Sequence, residues 1–82
     1  MGRLSIRKRE DPEILATKIC IQLGKKTKEF DPETLKACKA TLEGLATGRD
    51  GLIDAVISLH NIFKIPPDYA LKIASNVAKK TR

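Results

Sequence analysis

Apolar residues recur along the chain at spacings of three and four, the period of a helix buried on one side. From Pro12 to about Lys26 the inward stripe is Leu15, Ala16, Ile19, Cys20 and Leu23, while Ile14 and Ile21 lie on a different side. A second stripe runs from Pro32 to about Ala46, with Leu35, Cys38, Leu42 and Leu45 inward and Lys36, Lys39 and Glu43 outward. A third, from about Gly51 to Lys64, is the most apolar. Leu52, Ala55, Val56, Leu59, Ile62 and Phe63 fill one broad face, and Ile53, Ile57 and His60 fill part of another. Apolar over more than half its girth, this helix reads as the central one of a bundle. The last, from about Pro67 to Lys80, sets Ala70, Leu71, Ile73, Ala74, Val77 and Ala78 against Tyr69, Lys72, Ser75, Asn76, Lys79 and Lys80.

Local chemistry supplies the starts. The triplet Asp-Pro-Glu occurs at 11–13 and again at 31–33. In each, the aspartate can cap the helix, proline occupies its first turn, and glutamate favours the positive end of the dipole. Pro66-Pro67-Asp68 opens the last helix similarly, and Asp50-Gly51 the third. Beyond the caps the two triplets share no further pattern, so they are one start signal used twice rather than an internal repeat. The expectation is an all-α protein: a compact bundle of four short helices over residues 11–82, preceded by a basic, flexible tail at residues 1–10. Leu4 and Ile6 in that tail are candidate anchors for a partner.

Composition narrows the possible functions. Eighty-two residues make one small domain, and with two phenylalanines, one tyrosine and no tryptophan the core must rest on aliphatic packing. The formal charge is +6, unevenly placed. Arg3, Arg7, Lys8 and Arg9 crowd the start, Lys25, Lys26 and Lys28 the first inter-helix segment, and Lys72, Lys79, Lys80 and Arg82 the end. Such clusters favour a polyanionic partner. Cys20 and Cys38 both fall on apolar faces and read as small hydrophobes; a bond between them is open to the chain but not required. With no signal peptide and no run of about 20 apolar residues, the expected setting is the cytoplasm, with no membrane contact.

Catalytic groups are scarce. His60 is the lone histidine and sits among isoleucines, and neither cysteine has an assured cation beside it to lower its pKa. The Gly44–Gly51 stretch lacks the Lys-Ser/Thr of a phosphate loop, and Asp50-Gly51 lacks the alternating oxygen ligands of a calcium loop. No enzyme activity, metal or cofactor is therefore expected.

Two binding surfaces are. Phosphate contact is expected at Arg3, Arg7, Lys8, Arg9, Lys72, Asn76, Lys79, Lys80 and Arg82, and protein contact at Leu4, Ile6, Ile14, Ile21, Ile53 and Ile57. Together they describe an accessory subunit that binds a larger protein of a nucleic-acid machine, such as a polymerase or ribosome, and lends non-specific basic contacts to DNA or RNA. One alternative is a helix-turn-helix-like protein in which Asp68, Tyr69, Lys72 and Asn76 face base edges; the absence of arginine there argues against it. Another is a helical adaptor or homodimer that meets no nucleic acid.

Overall fold

A computed structural model of the chain describes residues 11–81. It is all-α, with α1 Pro12–Thr27, α2 Pro32–Ala46, α3 Leu52–Phe63 and α4 Pro67–Thr81. The basic segment before Asp11, with Leu4 and Ile6, and Arg82 at the end lie outside the described residues.

The helix starts form as their chemistry dictates. The Asp11 carboxylate accepts from the amides of Glu13 (2.9 Å) and Ile14 (3.4 Å). That of Asp31 accepts from the Thr34 amide (3.3 Å) and hydroxyl (2.7 Å). These donors, the hydroxyl foremost, hold the Asp31 carboxyl below its ordinary pKa. A depressed folded-state pKa contributes stability above the unfolded value of about 3.9, and loses it as pH falls through the folded value. Thermal melts at stepped pH should therefore show the wild type's advantage over Asp31→Asn shrinking below about pH 4. An advantage constant across that range would mean the ionised carboxylate contributes nothing to the cap.

Two helix ends use a left-handed lysine instead of glycine. Lys28 closes α1 at φ 66° and Lys64 closes α3 at φ 59°. Gly24, one turn earlier, is committed to another purpose. A Cβ there would lie 2.5 Å from Cδ1 of Phe30 and 3.1 Å from the Glu29 carbonyl oxygen, so glycine lets the chain fold back across α1.

The core is one aliphatic cluster. It includes Leu15, Ala16, Cys20 and Leu23 from α1, Cys38, Leu42 and Leu45 from α2, Ala55, Leu59 and Phe63 from α3, and Ala70, Ala74 and Val77 from α4. Each helix thus buries the stripe its periodicity announces, with two departures. Leu52, at the first position of α3, is 36% exposed, and Leu71 of α4 is 42% exposed.

The central helix is α2. It packs extensively on α1, α3 and α4, whereas α1 touches α3 and α4 only lightly. The expectation that α3 is central is therefore corrected. Cys38 of α2 is bonded to Cys20 of α1, and Gly44 leaves room for the Asp50 side chain from the turn into α3. Only one face of α3 is covered, leaving Ile53 66% and Ile57 53% exposed.

The cysteines are bonded to each other. Cys20 and Cys38 form a disulfide across α1 and α2, with Cα atoms 5.9 Å apart and a sequence separation of 18. Both are buried, as small hydrophobes should be, but the reading of them as thiols is corrected.

Candidate nucleic-acid interface

Residues from the C-terminal half of α1 and from the first ten of α4 line a cleft of about 200 Å³. Its apolar floor is Ile19, Leu23 and Ile73, which continue the core stripes of their helices. Its polar rim comes from the next positions around each helix. On α1 these are Gln22 and Lys26, four residues apart; on α4 they are Tyr69, Lys72 and Asn76.

Lys26 and Tyr69 tie the two walls together. The lysine ammonium donates to the phenol oxygen at 3.1 Å and lies 5.1 Å from the ring centre. It is nearer the hydroxyl than the ring centre, so the hydrogen bond is the closer of the two contacts. Lys72, exposed on the same rim, has no carboxylate within 4 Å among the described residues, where the ion pair formed is Lys39 with Glu13 at 3.3 Å. Two cations therefore share one cleft without an acidic partner among the described residues. Such an arrangement attracts an anion from solution.

The lysines expected to act together on α4 divide. Lys72 and Asn76 face α1 across the cleft. Lys79 lines a different hollow with Asp50, Gly51, Leu52 and Ser75, on the side of the α2–α3 turn. Lys80 is exposed near the helix end. The arginines and the lysine at 3–9, together with Arg82, lie outside the described residues. Lys26, Gln22 and Tyr69 are not among the residues expected to contact phosphate. Lys26 belongs to one of the basic clusters, but nothing in the pattern tells which helix it faces.

The expected protein-contact residues are exposed where they are described. Ile14 and Ile21 stand out from α1, and Ile53 and Ile57 from α3. Those two helices touch only lightly. Ile21 also borders a hollow of about 330 Å³ between α1 and α2, with Leu35, Lys36 and Lys39.

His60 has a structural partner. Its Nδ1 lies 2.6 Å from the carbonyl oxygen of buried Ile65, so the ring nitrogen carries the proton and donates it, pinning the turn into α4. Among the described residues no group of three histidines, cysteines or acids is placed to hold a metal ion.

No family model, no curated protein and no solved structure matches the chain.

Proposed function

We propose that this chain is a small, non-catalytic accessory protein that contacts nucleic-acid phosphates through the α1–α4 cleft and holds a protein partner through its exposed isoleucines. One observation carries the reading. Lys26 and Lys72 converge on a cleft with two amides and a tyrosine, and among the described residues no carboxylate forms an ion pair with either ammonium. Solvated lysines on a helix face usually stand beside acids or apart; two convergent cations over an apolar floor suit a phosphate backbone. The exposed Ile53 and Ile57 suit a partner of complementary shape.

The helix-turn-helix alternative fits this geometry less well. A recognition helix must stand clear to enter a groove, and here Tyr69, Lys72 and Asn76 look across at α1.

No described helix is long and apolar enough to cross a membrane. The cytoplasmic setting is a proposal that holds for the chain with its bond reduced, since a closed Cys20–Cys38 disulfide persists in oxidising surroundings.

Fluorescence anisotropy with a labelled oligonucleotide at stepped salt tests the phosphate contact. Lys26→Glu with Lys72→Glu should lower affinity by more than about tenfold relative to Lys18→Glu with Lys36→Glu, which changes net charge equally. Equal losses in the two pairs would reduce the cleft to one part of a diffuse basic surface. Absence of binding at low salt would remove the nucleic-acid role.

A further inference from the structure

The cleft's shape and lining also select the form of nucleic acid. We infer that it takes a single strand, with one base laid against Tyr69 and the flanking phosphates on Lys26 and Lys72. This rests on the phosphate-binding reading above.

Shape decides first. A duplex is convex, and a protein reads it by inserting a ridge or helix into a groove. Here the polar groups lie in a concavity of about 200 Å³ between two helices, and a stacked, paired base cannot reach into it. A single strand can turn a base outward and seat it there.

The lining then matches a base. Tyr69 is half-buried at the cleft wall, where its ring can serve as a stacking platform. Gln22 and Asn76 each offer an amide donor and acceptor, and among the described residues neither side chain has a hydrogen-bond partner. Ile73 supplies apolar surface under the seated ring. Lys26 holds the Tyr69 hydroxyl; on binding a strand, its ammonium exchanges that neutral acceptor for a phosphate oxygen, a stronger charge-assisted bond. Every base has a face to stack and an edge to bond, so recognition tolerates sequence. DNA and RNA strands share this chemistry.

Tyr69 is the only tyrosine, and the chain has no tryptophan, so intrinsic fluorescence reports on this ring alone. The full chain is titrated with a deoxythymidine 12-mer, a uridine 12-mer and a hairpin duplex of matched phosphate count. Affinity is read by anisotropy and stacking by tyrosine quenching. At least one single strand should bind about tenfold more tightly than the hairpin and quench Tyr69, and the two 12-mers distinguish DNA from RNA. Tyr69→Leu should lose that preference, and Tyr69→Phe should retain it, with helicity checked by circular dichroism. Hairpin binding equal to both strands, or a preference untouched by Tyr69→Leu, overturns the single-strand inference while leaving phosphate binding in place. Failure of all three nucleic acids to bind at low salt overturns both.

Discussion

Reduction of the Cys20–Cys38 bond should lower the stability of the folded chain by about 3 kcal/mol, the loop-closure contribution expected for a cross-link of this span. For a domain of this size, that is a fall of more than about 10 °C in melting temperature. The bond holds α1 to α2 at the centre of their contact, and both sulfurs are buried, so its removal frees the unfolded chain more than it disturbs the packed one. Urea unfolding with and without a phosphine reductant measures it. The reduced protein should show a lower midpoint and a steeper slope, because its unfolded state exposes more surface. An unchanged midpoint would mean that helix packing alone sets the stability. The variant with both cysteines replaced by alanine should resemble the reduced chain, with an added loss for the missing side-chain volume.

Truncation of Leu42 to alanine should cost a similar amount, about 3 kcal/mol. Leu42 is fully buried on α2, the helix against which all the others pack, so the cavity has little freedom to collapse. Leu42→Met, which conserves volume, should cost less than about 1.5 kcal/mol. The informative contrast is Ile57→Ala on α3. That side chain is 53% exposed, and its loss should change stability by less than about 0.5 kcal/mol. Chemical denaturation of the three variants ranks the helices by their burial. A large loss at Ile57 with a small one at Leu42 would restore α3 to the centre.

That contrast shows what periodicity reveals and what it hides. Helix positions followed directly from local chemistry: both Asp-Pro-Glu starts cap as their carboxylates require, and α2 spans the residues its pattern marks. Inward stripes followed too, since each helix buries the residues three and four apart that no solvent face could use. Which helix lies at the centre did not. Counting hydrophobes favours α3, but the place in contact with all three other helices goes to α2. Leu71 falls on the apolar side by its angle and is nevertheless exposed, because the neighbouring helices cover only part of that side.

The cleft was half legible. Lys72 and Asn76 stand out from the pattern of α4, as four-residue spacing on a polar face must. The residues that line the cleft opposite them, Gln22 and Lys26, are on α1, and Lys26 meets Tyr69 across 43 residues of sequence. That meeting depends on the α1–α4 arrangement, which no local signal encodes. The disulfide was legible only as an option: two buried cysteines on facing stripes can pair, but their register comes from the α1–α2 packing.

The bond also closes part of the chain into a ring. Residues 20 to 38 form a covalent loop that contains the whole α1–α2 connection, including the exposed Lys28 and Phe30. A protease that cuts after Lys28 opens the ring without dividing the molecule. The nicked protein travels as one species on a non-reducing gel and separates into two only when reductant is added. Its α1 and α2 remain tethered at their centres, so a cleaved chain can keep its bundle, and with it the α1–α4 cleft, after the backbone between those helices is gone.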